Sequence, residues 1–281
     1  MTRRAAVLGS PITHSLSPVL HRAAYAAMGL DWSYDAIECD EAGLPAFLGG
    51  LGGGWAGLSL TMPLKRTALG LVDTVSELAV AVGGANTIVL RDGRRHGDNT
   101  DVYGIVTALT EAGLGTPSSA VVLGGGATAA SALAALSRLG LKEAVLAVRD
   151  PARAGEAAGV GERFGLDVRI ATLDLVAEQL PAGLLSADLV VSTLPGRAAD
   201  AFAEPVAVSG SALFDVVYAP WPTALAAAVE QAGGVAVGGF PMLLHQAVRQ
   251  VAMMTGRDDV PVEAMRAAGE AELARRAQPH P

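Results

Sequence analysis

Ala120-Val121-Val122-Leu123-Gly124-Gly125-Gly126-Ala127-Thr128-Ala129-Ala130 decides the fold. Four apolar residues suited to a buried strand run into Gly-x-Gly-x-x-Ala, and an alanine-rich segment with helical character follows. In such a strand–turn–helix unit the first glycine, Gly124, permits the tight turn. The second, Gly126, lets backbone approach a pyrophosphate, and a small residue at Ala129 lets helix and strand pack closely. Amides at the start of the helix then face the phosphates. Glycine is abundant here, with 34 residues, so the motif alone is weak. Its position between a strand and a helix, with another strand about twenty residues on, makes it a dinucleotide-binding turn that includes Gly125, Ala127 and Thr128.

The end of that next strand discriminates between cofactors. Val148-Arg149-Asp150-Pro151-Ala152-Arg153 offers Arg149 and Arg153 as a clamp for a 2′-phosphate, which favours NADP. Asp150 has two readings: it caps a helix begun by Pro151, or it contacts the ribose and admits NAD.

Outward from the turn, short β-rich runs alternate with helical ones, the pattern of βαβ units. Strands are expected at Ala120–Leu123, Ala144–Val148, Val168–Ala171, Leu189–Ser192, Leu213–Val216 and Val235–Val237, six in all, as a Rossmann-type doubly wound domain needs. Upstream, strands are expected at Ala5–Leu8, Trp32–Ile37, Trp55–Leu60 and Asn86–Leu90. Helices should cover Ser17 to about Met28, capped by Ser17, and then Glu41–Leu48 and Pro63–Leu71. A further one should run from Asp101 to about Ala112, capped by Thr100. Gly113 to Ser119 is the best boundary signal. From Phe240 the chain is helical and comes too late to join the completed sheet. The expected α/β architecture is therefore a parallel-rich α/β substrate domain over residues 1–105 and a dinucleotide-binding domain over 106–238. C-terminal helices over 239–281 should return to the first domain.

Of the 281 residues 51% are hydrophobic but only 4% aromatic. The core must be built of Ala, Val and Leu, which suits helices packed on parallel strands. The formal charge is −8 with 20 scattered basic residues; a nucleic-acid partner would need a basic stripe and is not expected. Cys39 is the single cysteine, so neither a disulfide framework nor a thiol metal cluster is expected, and the histidines lack metal-motif spacing. No signal-peptide pattern or 18-residue apolar run is read, and the expectation is a cytoplasmic protein without membrane attachment.

Polar residues follow the expected strands of the first domain: Ser15 and Ser17, Thr61 and Lys65, Asn86 and Thr87, Asn99 and Asp101. Residues at the carboxyl ends of parallel strands converge on one crevice. Hydroxyls, amides and one Lys–Asp pair suit a small polyhydroxylated substrate, with the ammonium stabilising and protonating an oxygen that becomes alkoxide-like as hydride arrives. Lys65 and Lys142 are the two lysines; only Lys65 stands at a proline-bounded turn, and Lys142 reads as a surface residue.

Eight blocks in order closely resemble the shikimate dehydrogenase family. They are Gly9-Ser10-Pro11-Ile12-Thr13-His14-Ser15-Leu16-Ser17-Pro18, Leu60-Thr61-Met62-Pro63-Leu64-Lys65, Gly84-Ala85-Asn86-Thr87, Asp98-Asn99-Thr100-Asp101-Val102-Tyr103-Gly104, the glycine turn, Ser192-Thr193-Leu194-Pro195, Asp215-Val216-Val217-Tyr218-Ala219-Pro220-Trp221-Pro222-Thr223, and Gly239-Phe240-Pro241-Met242-Leu243-Leu244-His245-Gln246-Ala247. The resemblance implies reversible NADPH-dependent reduction of 3-dehydroshikimate to shikimate. It implies that Ser15 and Ser17 hold the substrate carboxylate, that Thr61, Asn86, Asp101 and Gln246 hold its hydroxyls, and that Lys65 and Asp101 are the catalytic pair. Tyr218 matches a tyrosine near the carboxylate and Met242 a methionine near the nicotinamide; Thr193, Val216 and Gly239 fall on the cofactor side. A homodimer is expected. The family commonly has asparagine where this chain has Ser59. If that asparagine braces the Thr61–Lys65 loop, Ser59 is expected to do so through a shorter bond or a water. The nearest rival is a quinate/shikimate or aminoshikimate dehydrogenase with relaxed use of NAD and NADP. Retention of both serines favours shikimate, and retention of Lys65 and Asp101 argues against a sensing or scaffolding protein.

Overall fold

The computed structural model describes residues 2–278 except 184 and 186; the side chain of Arg153, half of the expected phosphate clamp, lies outside what is described. The chain divides into two compact units, Met1–Asp101 with Leu243–Pro281, and Val102–Met242.

The first unit is built on β1 (Arg3–Gly9), α1 (Ser17–Ala27), β2 (Trp32–Glu38), α2 (Leu44–Gly49), β3 (Trp55–Leu60), β4 (Thr74–Val75), α3 (Glu77–Val82), β5 (Thr87–Arg91) and β6 (Arg94–Asp98). Its sheet runs β2-β1-β3-β5-β6-β4. β1 pairs in parallel with β2 and β3, and β4 with β6, whereas β5 is antiparallel to both β3 and β6. The β5–β6 hairpin departs from the expected single strand. Asp92 and Gly93 both have positive φ, 54° and 72°, as a two-residue primed turn requires. Leu58, Leu60, Ile88, Leu44 and Leu48 belong to the core cluster of this unit.

Three helices differ from expectation. The second begins at Leu44 rather than Glu41, because the Asp40 carboxylate accepts from Gly43 N at 2.8 Å and holds a turn ahead of it. Residues 62–66 form turns rather than a helix, followed by a 3-10 turn at Thr67–Gly70. The Lys65 carbonyl, which a helix would give to Leu69 N, accepts instead from Ala85 N at 2.8 Å. In α1 the cap position is Leu16, without a side-chain cap bond, so Ser17 opens the helix rather than capping it.

The second unit takes in α4, which begins at the boundary (Asp101–Glu111), then β7 (Ala120–Leu123), α5 (Ala127–Arg138), β8 (Glu143–Val148), α6 (Gly155–Arg163), β9 (Asp167–Thr172) and α7 (Leu173–Gln179). It continues through β10 (Leu189–Ser192), α8 (Ala203–Ser209), β11 (Ala212–Asp215), α9 (Ala224–Gln231) and β12 (Ala236–Val237). All six strands are parallel, ordered β12-β11-β10-β7-β8-β9. Order reverses between β7 and β10, the switch point at which such sheets bind ligands. β7 is buried at all four residues, as a strand covered on both faces must be. Alanines 129, 130, 132, 134 and 135 of α5 are buried and let the helix approach closely. The Thr223 hydroxyl caps α9 by accepting from Ala226 N at 3.1 Å and donates to Asp215 Oδ2 at 2.9 Å. Burial raises the Asp215 carboxyl above its ordinary value, and the Val217 N–H and this hydroxyl pull it back.

The chain ends in α10 (Gly239–Thr255) and α11 (Val262–Ala277). From Leu243 on they belong to the first unit, where α11 packs on α1. No described helix is long and apolar enough to cross a membrane.

His21, on α1, is fully buried and stacks on Tyr34 with ring centroids 3.9 Å apart and planes at 20°. Burial lowers its pKa to about 4, against the opposing effect of its bond to the Ser17 carbonyl. An unfolded histidine protonates near 6.5. Stability tied to His21 is therefore whole above that pH and is lost as pH falls from about 6.5 to about 4, by up to about 3 kcal/mol. Urea unfolding of wild type and His21→Phe across that range should show this slope in the wild type alone; parallel curves would refute it.

Candidate active site

Three features of the first unit bring its polar candidates together. The antiparallel register Thr87↔Asp98 sets Asn86, just before β5, opposite the residues that follow β6. Asn86 N donates to Asp98 O at 3.0 Å, and the Asn86 side chain meets Thr100 and Asp101. The Ala85 N bond to the Lys65 carbonyl anchors the turn after β3 beside the same segment. Gly9 lets the end of β1 pass under that turn: a Cβ there would lie 2.3 Å from Thr61 Cγ2 and 2.9 Å from Met62 O. Ser10 N donates to Met62 O at 3.0 Å.

At the centre Lys65 Nζ donates to Asp101 Oδ2 at 2.7 Å, with side chains only 14% and 6% exposed. Asn86 Nδ2 donates to the other carboxylate oxygen at 2.8 Å. The carboxylate is thus held from both sides, and the ammonium is fixed by a charge-assisted bond. Gln246 Oε1 lies 3.5 Å from Asn86 Nδ2, and Gln246 Nε2 donates to Leu243 O at 2.8 Å. Ser15 and Ser17 are joined through Ser17 N donating to Ser15 Oγ at 3.3 Å, and Arg276 on α11 ties down the loop by donating to His14 O at 2.7 Å. An ammonium on an anchored carboxylate can protonate a developing alkoxide, and buried amides and hydroxyls nearby can orient a polyol.

Three residues that the sequence did not place in the site are joined to it, Tyr34, Thr100 and Gln250. Gln250 carries the one signal that could have found it, a glutamine one helical turn after Gln246 and so on the same face. Ser59 departs from expectation. Its hydroxyl accepts from Tyr34 Oη at 2.6 Å and donates to Gln250 Oε1 at 2.8 Å, and neither bond goes to the Thr61–Lys65 loop.

In the second unit, Gly124 has φ +106°, and a Cβ on it would sit 2.6 Å from Thr193 Oγ1; one on Gly125 would sit 2.9 Å from Val148 Cγ1. Thr193 Oγ1 donates to Leu123 O at 2.8 Å, joining the ends of β7 and β10 at the switch point. Nothing lies within 4 Å of a Cβ placed on Gly126, which is the cap residue of α5. That open space before a twelve-residue helix fits a phosphate group, whose oxygens the unpaired first-turn amides would meet. Ala127 and Thr128 stand in this first turn, and Ala129 is buried behind it. Arg149 is exposed just after β8. Asp150 Oδ1 accepts from Ala152 N at 3.1 Å and so caps the short turn that follows. Val216 and Gly239 touch through their backbones. Met242 is buried and Tyr218 half-buried. Both belong to the second unit, which separates Tyr218 from the other substrate-binding candidates. Among the described residues no cluster could hold a metal ion.

Residues 7–88 match the family model "Shikimate dehydrogenase substrate binding domain", and residues 239–268 match "Shikimate 5'-dehydrogenase C-terminal domain". A shikimate dehydrogenase (NADP(+)) from Rubrobacter xylanophilus is 39% identical over 267 residues, 92% of each chain. The crystal structure of Mycobacterium tuberculosis shikimate dehydrogenase is similar with a TM-score of 0.86 and 42% identity, over 96% of this chain and 99% of that one. A quinate dehydrogenase from Corynebacterium glutamicum, in complex with NAD, is similar with a TM-score of 0.82 and 27% identity, over 96% and 99%.

Proposed function

Because the chain belongs to the shikimate dehydrogenase family, we propose that it catalyses the reversible NADPH-dependent reduction of 3-dehydroshikimate to shikimate, with Lys65 and Asp101 as its proton-transfer pair. The observation that carries this is the 2.7 Å contact of Lys65 with Asp101, whose second oxygen is held by Asn86. When bound, the nicotinamide supplies hydride to C3. As the C3 oxygen gains charge, Lys65 stabilises it and delivers a proton; in the oxidative direction Lys65 takes that proton back. Asp101 orients the ammonium and accepts from a neighbouring hydroxyl. Asn86, Thr61 and Gln246 hold the remaining hydroxyls, and Ser15 and Ser17 the carboxylate. Tyr218 assists at the carboxylate and Met242 at the nicotinamide.

The same reading gives the cofactor phosphates to Gly124, Gly125, Gly126 and the first turn of α5, with Thr193, Val216 and Gly239 shaping the rest of its bed. Arg149 and Arg153 take the 2′-phosphate. Support for NADP over NAD comes from Asp150, whose carboxylate is engaged as a cap rather than offered to a ribose. A second reading, quinate oxidation with NAD, is motivated by the Corynebacterium likeness.

Steady-state kinetics with shikimate and quinate against NADP+ and NAD+ separate the two. Shikimate with NADP+ should be the best pair, and Arg149→Ala should raise the KM for NADP+ by roughly 10- to 100-fold while leaving that for NAD+ nearly unchanged. An NAD+ preference above about tenfold in the wild type would reverse the cofactor assignment.

A further inference from the structure

Five donors run in one direction through the interior of the first unit to Asp101, where a sixth, Lys65, meets them from the other side. Tyr34 Oη donates to Ser59 Oγ at 2.6 Å, and Ser59 Oγ to Gln250 Oε1 at 2.8 Å. Gln250 Nε2 donates to Thr87 Oγ1 at 3.0 Å, and Thr87 Oγ1 to Asn86 Oδ1 at 2.8 Å. Asn86 Nδ2 then donates to Asp101 Oδ1 at 2.8 Å, and Lys65 closes the series on Oδ2. Tyr34, Ser59, Gln250, Thr87, Asn86 and Asp101 are all buried.

From this one-way series we infer that Tyr34, Ser59 and Gln250 are positioning residues for the proton-transfer pair, orienting Asp101 and Lys65 through Thr87 and Asn86. The inference rests on the functional reading of that pair given above.

Each link has one sense in which its donors and acceptors all match. Gln250 has an amide oxygen and an amide nitrogen to place. With the Ser59 hydroxyl pointing at it, the oxygen faces β3 and the nitrogen faces β5. That nitrogen donates to Thr87 Oγ1, so the Thr87 proton is free to turn toward Asn86 Oδ1. The Asn86 oxygen, held also by Thr100 N at 2.8 Å, then leaves its own N–H groups for Asp101. Reversing Asn86 would set an amide oxygen against a carboxylate. Aligned bonds in a dry interior polarise one another, so a break at the far end is felt at the near one. Burial raises the Tyr34 hydroxyl well above its ordinary value, which keeps it a neutral donor throughout the assay range.

Strand geometry makes the path continuous. Ser59 lies opposite Thr87 in the β3–β5 register. Two residues earlier on β3, Gly57 takes the weight of α10: a Cβ there would meet Met254 Cγ at 2.7 Å and Ile88 O at 2.8 Å. α10 therefore lies low over the sheet, and Gln250 reaches both strands.

The test compares kcat and KM for shikimate in Ser59→Ala, Gln250→Met, Tyr34→Phe and Ser59→Thr, each scaled to its folded fraction. Ser59→Ala and Gln250→Met should lower kcat about five- to fiftyfold with KM for shikimate held within about threefold, because the pair is misaligned while the substrate-holding groups stay. Tyr34→Phe should lower kcat about threefold, and Ser59→Thr, which keeps the hydroxyl on a strand-suited residue, should remain within about twofold of wild type. Wild-type kcat in folded Ser59→Ala and Gln250→Met, or a loss confined to melting temperature or to KM, overturns the inference. If neither variant folds, Tyr34→Phe decides by the same criteria. Failure of the functional reading shows in the wild type, which would not turn over shikimate; failure of the relay shows in variants of an active wild type.

Discussion

Lys65→Ala is expected to leave a folded, NADPH-binding protein whose kcat is lower by roughly 10²- to 10⁴-fold, the usual contribution of a positioned proton-transfer group. Lys65 touches the rest of the protein through two bonds of different kinds. Its backbone carbonyl accepts from Ala85 N, which an alanine preserves, and its ammonium donates to Asp101, which an alanine abolishes. The turn should therefore stay in place while the ammonium is lost. Asp101 still accepts from Asn86, so its carboxylate is not stranded. Single-turnover and steady-state measurements alongside fluorescence titration with NADPH check this. A folded variant turning over within about tenfold of wild type would sink the assignment of Lys65.

The second large effect is structural. Gly239→Ala should destabilise the protein by at least about 3 kcal/mol, at the upper end of what overpacking costs. A Cβ at Gly239 would lie 2.0 Å from Val216 O and 2.5 Å from its carbonyl carbon, and these are backbone atoms that no rotamer change can move aside. Relief requires the start of α10 to retreat from the end of β11, breaking the 3.0 Å bond from Gly239 N to Val217 O. Gly126→Ala is the matched control, since a Cβ there meets nothing within 4 Å. Urea midpoints should fall steeply for the first and little for the second. Equal midpoints would show that the β11–α10 junction yields more easily than its geometry implies.

The second unit was legible wherever burial is two-sided. β7 and β10 are apolar runs ended by turn residues and lie where the sequence puts them, because a strand covered on both faces has no freedom in composition. β6 was not legible, since Arg94-Arg95-His96-Gly97-Asp98 carries no apolar alternation and is held by its hairpin turn and by β4. The Asp92-Gly93 turn was the available sign. The missing helix after Pro63 has a different cause: a tertiary bond from Ala85 takes a carbonyl that local propensity would have spent on a helix. In the site, Lys65, Asn86 and Asp101 were readable because their side-chain types and their places after strands already suggest chemistry. Tyr34 and Gln250 were not, since their part depends on which hydroxyl or amide they face across 25 and 191 residues of chain from Ser59. Ser59 was noticed as a departure, yet the bonding partners of a side chain that can both donate and accept cannot be read from its neighbours in sequence.

The first unit is interrupted: Asp101 and Leu243, consecutive in that unit, are separated by all of Val102–Met242. A ribosome adds about 5–20 residues each second, so Gln246 and Gln250 emerge roughly 7 to 33 seconds after Asn86 and Asp101. Over that interval the nascent sheet of the first unit has no α10 to lie on Gly57, while the dinucleotide-binding unit, contiguous in the chain, is made and is whole by its end. The penultimate helix thus completes the first-made half of the enzyme, and chain growth leaves Asn86 and Asp101 without Gln246 and Gln250 until the dinucleotide-binding unit has been made.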